Sequence, residues 1–566
     1  MDRLEYYMYN LNVMELKEYL GNNLVDLLVE WLPEDEPIFS EENLIHMILS
    51  VYGNKILDNA KFRFRLVRAF EPKRIMDYRV FLSGYENESD ASIIAEKISD
   101  SPWGKNDISY KFLDDLEIDH GYFEKSEDYR EAIETIGTFD KFFELLDYQF
   151  VIRQKILTYI NSNNDETKMV VRMPTGTGKT KTAMHTIINQ YVFNHKKSGL
   201  VVWIAHTKEL LDQAYETFCN VWHHIGSGDV KTYKMWDKYD VDIDDIEDGF
   251  LFIGIHKLIS IRKSRKLLFD EITKRSRMIV VDEAHRAGAI ETKRVINELM
   301  SYFGKSKSLI GLTATPGRVD DVDNELFKGM FDNKIIDIDI GILNQLNMSK
   351  TEADNIAPEV DIIKYFQSRG ILSKLKRTPL AYGELTSAEI SALRIHMTNN
   401  GYKDISEESL KIIAMNKRRN TVIVNKLIDL NNEHVPTIVF ACSVEHGKML
   451  SAALTMHGIK NGHVFGDMDP VERRNIIARF KNVEDDLNIL INYEVLTTGF
   501  DATNIQCVFI TRPTNSVVLY SQMLGRGLRG PQMGGNEFCE LIDIEDNLEK
   551  YMSESQAFNY FSNYWN

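Results

Sequence analysis

The sequence has little cysteine and no long apolar run, and both shortages exclude classes of protein. Four cysteines stand far apart among 566 residues without a Cys-x-x-Cys pair: Cys219, Cys442, Cys507 and Cys539. Such spacing argues against a disulfide framework or a zinc site. No apolar run approaches the ~20 residues that a membrane-spanning helix requires, and the first residues lack the apolar core of a signal peptide. We therefore expect a cytoplasmic protein without a membrane contact.

Positive charge is also scarce. The chain has 67 lysines and arginines against 85 aspartates and glutamates, which gives a net charge of −18. A protein that binds nucleic acid over its whole surface needs the opposite balance. Local binding stays open, because basic clusters occur near residues 262–266, 274–277, 374–377 and 417–419. Each cluster is equally typical of a solvated helix face.

The first 138 residues differ from the rest of the chain in the spacing of their apolar residues. Apolar residues recur there at helical spacing, as in Leu24, Leu27 and Leu28. We predict a helical accessory domain over residues 1–138, and we find no catalytic constellation in it. Three roles stay open for it: recognition of a DNA structure, binding of a protein partner, and bracing of the first sheet region described next.

From about residue 139 the chain alternates short apolar strands with amphipathic helices. This alternation is typical of a parallel sheet with crossover helices. It occupies residues 139–334 and again residues 431–566, where it ends in an aromatic-rich tail. Between the two blocks, residues 335–430 predict a mainly helical connecting segment. The fold class is therefore α/β, with two parallel-sheet regions after a mainly helical N-terminal domain.

A glycine-rich loop lies between a predicted strand and a predicted helix. It consists of Thr175, Gly176, Thr177, Gly178, Lys179 and Thr180. The two glycines allow backbone N–H groups to approach phosphate oxygens. Lys179 places a cation on the β- and γ-phosphates, and the Thr180 hydroxyl is a ligand for Mg²⁺. The loop predicts binding of ATP with Mg²⁺.

About a hundred residues later an apolar strand ends in Asp282 and Glu283. Asp282 is suited to hold Mg²⁺, and Glu283 to orient and deprotonate an attacking water. The next strand ends in Thr313 and Thr315, whose hydroxyls could relay the state of the γ-phosphate by hydrogen bonding. Taken alone, Thr-Ala-Thr is simply the end of a strand.

Near the C-terminus, Gln522 begins a segment that contains Arg526 and Arg529. Two arginines one helical turn apart are suited to the far side of a γ-phosphate. We predict that both lie at the start of a helix and face the same way. If the two sheet regions close on each other, these arginines reach the nucleotide held by Lys179.

Together these motifs resemble helicase superfamily 2, and within it the motor subunits of type I and type III restriction enzymes and related bacterial repair helicases. The resemblance covers about residues 140–545 and implies two RecA-like lobes. It implies a catalytic set formed by Lys179, Asp282, Glu283, Gln522, Arg526 and Arg529. It further implies adenine recognition by Gln149, nucleotide contacts by Gly499 and Asp501, coupling through His285, Thr313 and Thr315, and backbone-phosphate contacts by Thr207, His256, Ser443 and Thr497.

The order Gln522-Met-Leu-Gly-Arg526 favours tracking on double-stranded or forked DNA over remodelling of RNA. We therefore expect an ATP-dependent DNA helicase or translocase of bacterial genome defence or repair. Two alternatives stay open: an ATP-gated nucleic-acid sensor or assembly factor with little unwinding, and an RNA helicase. No nuclease motif accompanies the motor motifs, so DNA cleavage would need a partner.

Overall fold

The computed structural model describes residues 3–31, 39–123, 131–139, 143–162, 166–288, 290–301, 306–317, 321–338, 361–383, 404–466, 468–497, 500, 502–514 and 516–545. Within them the chain forms an N-terminal set of helices and two sheets covered by helices. The predicted α/β class is confirmed. Every helix in these ranges is too short or too polar to cross a bilayer.

The N-terminal region is built from eight short amphipathic helices. They are α1 (Arg3–Met8), α2 (Val13–Leu20), α3 (Asn22–Trp31), α4 (Glu41–Tyr52), α5 (Ala60–Arg68), α6 (Pro72–Met76), α7 (Ala91–Asp100) and α8 (Asp107–Asp115). Side-chain caps define several starts; Asn12, for example, forms a reciprocal capping box with Glu15. Their apolar faces share one core, in which Leu44, Ile48 and Phe62 are fully buried.

The first sheet has eight strands. They are β1 (Ile133–Ile136), β2 (Thr167–Arg172), β3 (Leu200–Ala205), β4 (Val230–Met235), β5 (Gly249–Gly254), β6 (Ser276–Asp282), β7 (Ser308–Thr313) and β8 (Ile335–Ile336). Their order is β1-β4-β5-β3-β6-β7-β2-β8, parallel except for β1 against β4. Central strands such as β3 are buried along their whole length because helices cover both faces.

Seven helices accompany this sheet and complete the first lobe. They are α9 (Asp147–Ser162), α10 (Lys179–Asn189), α11 (Lys208–Ile225), α12 (Ile255–Ser264), α13 (Lys266–Arg275), α14 (Ile290–Leu299) and α15 (Asp321–Met330). β2, β7 and β6 are neighbours, so their carboxyl ends meet at one edge of the sheet. Ligands of parallel α/β sheets bind at that edge.

The second lobe holds a six-stranded parallel sheet of order β11-β12-β10-β13-β14-β9. The strands are β9 (Lys374–Leu380), β10 (Thr437–Phe440), β11 (Asn461–Val464), β12 (Ile489–Asn492), β13 (Cys507–Ile510) and β14 (Phe538–Ile544). The helices are α16 (Ile362–Ser368), α17 (Glu407–Ala414), α18 (Lys417–Asn432), α19 (Val444–Met456), α20 (Pro470–Lys481) and α21 (Val517–Leu524). The predicted pair of parallel-sheet lobes is thus present.

The N-terminal helices pack on the second lobe. The buried residues of α1–α8 form one core with those of α18 and α19 and with one face of the second sheet. Polar contacts support the junction: Thr455 Oγ1 donates to Ser50 Oγ at 2.8 Å, and the Lys448 ammonium lies over the Tyr52 ring. Bracing of the first sheet, one of the three roles left open, is therefore wrong for these helices.

Three strands lie outside the blocks predicted to form sheets: β1, β8 and β9, of which β8 follows residue 334 and pairs with β2. β1 precedes residue 139 and pairs antiparallel with β4, where Lys234 is fully buried against Glu134. β9 lies in the segment predicted to be mainly helical, and it extends the second sheet beside β14. The sheets thus recruit strands from residues 1–138 and 335–430, because a free sheet edge gains backbone hydrogen bonds from any extended segment beside it.

Candidate functional site

The glycine-rich loop follows β2 and leads into α10, as the sequence predicts. Gly176 and Gly178 have φ of +86° and +77°, in the left-handed region that favours glycine. A Cβ at Gly178 would lie 2.3 Å from Nε2 of Gln149, so the close approach also requires glycine there. Thr177 is fully buried, and its hydroxyl donates to the Pro174 carbonyl at 2.7 Å. The loop is therefore fixed by its own sequence and by Gln149.

Lys179 lies beside the two carboxylates that end β6. Its Nζ is 3.1 Å from Oε1 of Glu283 and 4.0 Å from Oδ1 of Asp282. The backbone N–H of Glu283 donates to Asp282 Oδ1 at 2.9 Å. Glu283 has φ of +47°, a conformation that costs a non-glycine residue roughly 1–2 kcal/mol. The turn thus holds the Glu283 carboxylate toward the loop at the expense of backbone strain.

Burial and charge act differently on the two carboxyl groups. Burial raises the pKa of Asp282 above its usual value. Burial also acts to raise the pKa of Glu283, but the charged and polar groups around it, Lys179 foremost and Arg526 among the smaller contributors, together outweigh burial, and the pKa lies below the usual value. Glu283 is therefore ionised at neutral pH, as an acceptor of a proton must be.

His285, Thr313 and Thr315 form a buried hydrogen-bonded group next to Glu283. Nδ1 of His285 lies 3.0 Å from Oγ1 of Thr313 and 3.4 Å from Oε2 of Glu283. The Thr313 hydroxyl in turn accepts from the Thr315 backbone N–H at 3.0 Å. Burial lowers the pKa of His285 to about 3, so the ring is neutral at physiological pH. These three residues link β7 to the carboxylates of β6 without adding a charge.

The arginine segment of the second lobe contacts the glycine-rich loop of the first. A Cβ at Gly525 would lie 2.4 Å from Cγ2 of Thr175, and one at Gly176 would lie 3.8 Å from Cγ of Arg529. Arg526 is nearly buried, with Nε donating to the Gln522 carbonyl at 3.2 Å. Its charge is close enough to lower the pKa of Glu283. Lys179 and the two arginines thus converge from different lobes.

The predicted position of the two arginines at a helix start is wrong. α21 ends at Leu524, Arg526 lies in the turn that follows, and Arg529 pairs with Leu372 in an isolated bridge. Glycine is needed at 527 because a Cβ there would lie 2.4 Å from Cys539 Sγ. Both arginines are therefore placed by the chain that follows α21, where the glycines at 525 and 527 permit close packing.

Gln522 is buried in the last turn of α21. Its Nε2 atom has no hydrogen-bond partner within the described part of the chain. A buried amide N–H without a partner is destabilising by roughly 1–3 kcal/mol. The backbone carbonyl of Gln522 accepts from Arg526 Nε, and its side-chain amide keeps donor capacity unused.

Gln149, expected to recognise adenine, is turned toward the protein. Its side-chain oxygen accepts from the Leu146 N–H at 3.0 Å, and its Nε2 donates to the Thr177 carbonyl at 3.0 Å. The Tyr148 hydroxyl donates to the same carbonyl at 2.7 Å. In this arrangement the two side chains support the glycine-rich loop. The role of Tyr148 was missed from the sequence, although Tyr148 directly precedes Gln149.

A second missed group joins the segment before β9 to the start of α9. Arg369 Nη1 donates to Asp147 Oδ2 at 2.6 Å and to the Tyr365 hydroxyl at 3.0 Å. Phe366 packs on Tyr148 with ring centroids 4.7 Å apart. A lone arginine in a polar segment carries no motif, so no sequence signal could have found this contact.

The residues present fit a Mg²⁺ ion that comes with a nucleotide. Thr180 and Asp282 supply hydroxyl and carboxylate oxygens, the hard donors that Mg²⁺ prefers, and phosphates complete its shell. The described ranges hold no group of three or more His, Cys, Asp or Glu side chains that could bind a metal alone.

The four residues assigned to nucleic acid lie on separate elements. Thr207 and Ser443 are the N-caps of α11 and α19, and each hydroxyl accepts from a backbone N–H of its own helix. Thr497 is buried, with its hydroxyl donating to the Glu494 carbonyl at 2.6 Å. His256 is exposed in the first turn of α12. Gly499 and Asp501, assigned to nucleotide contacts, lie outside the described residues.

The basic cluster at 262–266 is engaged with carboxylates. Arg262 forms a two-pronged pair with Glu298 at 2.6 and 2.7 Å, and Arg265 pairs with Asp240 and Asp242. Such pairing is what a solvated helix face carries.

Each of the two lobes matches a known protein family. Residues 142–318 match the res subunit of type III restriction enzymes, and residues 419–530 match the helicase conserved C-terminal domain. Over 410 residues the chain is 28% identical to IRC3 of Saccharomyces cerevisiae, a candidate ATP-dependent helicase, covering 71% of this chain and 51% of IRC3.

Restriction enzymes are also among the relatives. The chain is 22% identical over 406 residues to the EcoAI type I restriction enzyme endonuclease subunit of Escherichia coli, covering 69% of this chain and 45% of that protein. A solved fragment of a candidate type I HsdR subunit from Vibrio vulnificus is 17% identical, with 81% of this chain and 70% of that chain covered and a TM-score of 0.45.

The chain spans about half the length of the curated relatives it matches first. The residues of this chain that the two family models match include the glycine-rich loop, Asp282, Glu283 and the arginine segment. The chain belongs to helicase superfamily 2 and resembles the motor subunits of restriction enzymes.

Proposed function

We propose that this protein is an ATP-dependent DNA helicase or translocase in which both lobes act on one nucleotide. The observation that carries the proposal is the convergence of Lys179 and Glu283 from the first lobe with Arg526 from the second. Family membership supports an ATPase of the helicase class. Two lobes that share one nucleotide change their separation when it is hydrolysed.

In the proposed reaction the glycine-rich loop and Lys179 bind the phosphates of ATP. Thr180 and Asp282 would hold Mg²⁺, which when bound would supply positive charge to the phosphates. Glu283 accepts a proton from the attacking water, as its ionised state allows. Arg526 and Arg529 stabilise the charge that develops on the γ-phosphate. His285, Thr313 and Thr315 pass the change in the state of the γ-phosphate on to the nucleic-acid side of the molecule. That side is defined by Thr207, His256, Ser443 and Thr497.

DNA is proposed as the polymer because DNA helicases and type I restriction subunits are among the relatives. Thr207, His256, Ser443 and Thr497 are proposed to contact its backbone, which requires no base recognition. A protein partner for the N-terminal helices, location in the cytoplasm and a role in genome defence or repair stay predictions.

The test compares ATP hydrolysis with single-stranded DNA, duplex DNA, forked DNA and RNA, for the wild type and for Glu283→Gln. We expect forked or duplex DNA to stimulate the wild type most, with strand displacement on the fork. Stimulation by RNA alone would identify an RNA helicase instead.

A sensor or assembly factor is the second candidate, and the net charge of −18 favours it because the charge disfavours extended binding to DNA. Such a protein would hydrolyse ATP on DNA without displacing a strand. The strand-displacement measurement on forked DNA separates the two functions.

A further inference from the structure

A wide groove lies between the N-terminal helices and the outer edge of the second lobe. It has a volume of about 1190 Å³, and we call it the edge groove. Its walls are formed by N-terminal residues 49–58, 103 and 117–123, by strand β11 and by helix α20. Lys55 Nζ faces Oε2 of Glu472 across it at 4.0 Å. The residues assigned above to ATP and to nucleic acid do not line it.

The edge groove passes along the outer strand of the second sheet. Within the described ranges β11 pairs with β12 alone, which makes it the edge strand, and its Gly462 and His463 line the groove. Leu49 packs on the core at one face of this sheet, and Ile476 packs on the core at the other face. Because both also line the groove, it crosses from face to face over β11. An edge strand is a template for pairing with an extended segment of another chain.

Carboxylates outnumber cations on the walls of the edge groove. Five of them line it: Asp58, Glu117, Asp119, Asp469 and Glu472. Two cations lie among them, and each is engaged: Lys55 with Glu472, and Arg479 with Asp485 of its own lobe. The walls therefore present a net negative charge beside the edge strand.

Two of these carboxylates lie in surroundings that suit a cation. Burial raises the pKa of Glu472, Lys55 opposes the shift, and Asp469 adds to it. An added cation would stabilise a carboxylate that is partly removed from water beside another carboxylate. Asp58 Oδ1 accepts from Trp103 Nε1 at 3.1 Å and from the Tyr122 hydroxyl at 2.6 Å. A fixed carboxylate beside aromatic rings suits an ammonium or guanidinium group.

The N-terminal region that forms one wall also carries most of the net charge of the protein. Residues 1–138 contain 29 aspartates and glutamates against 15 lysines and arginines, a net charge of −14 out of −18 for the whole chain. This charge repels the phosphates of nucleic acid. It attracts a basic polypeptide and speeds the encounter with it.

We propose that the edge groove binds an extended basic segment of a partner protein. The backbone of the segment pairs with β11 as an added strand. Side chains alternate along such a strand, so lysines and arginines face the carboxylates while the residues between them pack on Trp103 and Ile476. The inference goes beyond the proposed function and does not rest on it, because the groove is separate from the nucleotide and nucleic-acid residues.

The test selects binders from a phage-displayed library of random dodecapeptides on the immobilised full-length protein. Peptides that also bind Asn475→Trp are removed, because an indole at this exposed position of α20 fills part of the groove. We expect the enriched peptides to alternate lysine or arginine with apolar residues. Fluorescein anisotropy then measures the affinity of the most enriched peptide for each variant.

Glu472→Gln should weaken binding of this peptide roughly three- to tenfold, because one opposing charge is lost. Matched controls exist outside the groove: Ala478→Trp at an exposed position of the same helix, and Glu96→Gln on α7. Both should bind the peptide within about twofold of the wild type. Thermal unfolding midpoints show whether each variant folds, and Glu472→Lys replaces Asn475→Trp if the latter does not.

Enrichment of basic peptides whose affinity falls in Glu472→Gln and stays at the wild-type level in both controls supports the inference. Enriched peptides without a basic excess, or no peptide that prefers the wild type, overturn it. Displacement of the peptide by spermine at equal positive charge would assign the groove to a polyamine, and loss of forked-DNA affinity in Glu472→Gln would assign it to nucleic acid; either result also overturns it. Should basic peptides bind as expected while no nucleic acid stimulates ATP hydrolysis, only the proposed function fails.

Discussion

The nucleotide side and the nucleic-acid side of the molecule satisfy their polar groups in different ways. On the nucleotide side, around the glycine-rich loop, Lys179 pairs with Glu283 and His285 contacts Thr313 of another strand, while the charge of Arg526 in the opposite lobe acts on Glu283. On the nucleic-acid side, Thr207 and Ser443 bond to the backbone of their own helices. One set depends on long-range assembly, whereas the other is complete within a few residues.

This difference follows from charge. A buried charge is tolerated only when partners surround it, and those partners come from distant parts of the chain. A hydroxyl that caps a helix needs only the next turn. We therefore expect substitutions on the nucleotide side to have large effects on turnover, and those on the nucleic-acid side to have small ones.

The largest expected effect is that of Arg526→Ala. Loss of a guanidinium that stabilises the γ-phosphate should lower DNA-stimulated ATP hydrolysis roughly 10³-fold, while affinity for an ATP analogue changes only a few-fold. Steady-state ATPase and fluorescent-analogue binding measure the two quantities. Arg479→Gln is the control. Wild-type turnover in Arg526→Ala would remove the second lobe from the reaction.

Glu283→Gln should lower turnover roughly 10²- to 10³-fold, because the amide cannot accept the proton of water. ATP should still bind, and the protein should stay on DNA with ATP present. Lys179→Ala, by contrast, should weaken ATP binding itself. The same two assays check both variants, and steady-state ATPase at the wild-type level in Glu283→Gln contradicts its assignment.

Thr313→Ala tests the connection between the nucleotide side and the nucleic-acid side, because Thr313 is proposed to couple them. It removes the 3.0 Å contact with His285, so we expect ATP hydrolysis within about threefold of wild type and strand displacement per ATP reduced roughly five- to tenfold. Thr217→Ala, on α11, is the control. Equal losses in both activities would assign Thr313 to the chemistry alone.

The smallest expected effects are those of Thr207→Ala and Ser443→Ala. Each removes an N-cap and should reduce the free energy of unfolding by about 1 kcal/mol. DNA affinity should fall less than about threefold, since one neutral contact is lost. Urea denaturation and anisotropy measure these values. A tenfold loss of affinity at unchanged stability would show that the hydroxyls act mainly on DNA.

Strands near the nucleotide site could be predicted because they are apolar runs that end in polar motifs. The apolar strand predicted to end in Asp282 and Glu283 is β6, which extends from Ser276 to Asp282. β4 and β9 were missed because lysines interrupt their patterns. In β4, Lys234 is buried against Glu134, a partner about a hundred residues away that the pattern cannot reveal.

Two arrangements could not be predicted from the sequence for a related reason. The sequence pattern of an amphipathic helix shows that the helix has an apolar face but not what covers that face. The packing of α4 on α19 could therefore not be predicted. The direction of Arg526 depends on where α21 ends, and the residue after its last one, Gly525, packs closely on Thr175 of the other lobe. Local pattern predicts elements, whereas contacts between lobes decide the site.

The most direct measurement is a structure with a non-hydrolysable ATP analogue and Mg²⁺. The account predicts that the Lys179 ammonium and the Arg526 guanidinium both lie within about 3 Å of oxygens of one γ-phosphate, with Glu283 facing it. A nucleotide bound by Lys179 with Arg526 turned away and the cleft open behind the γ-phosphate would contradict the account.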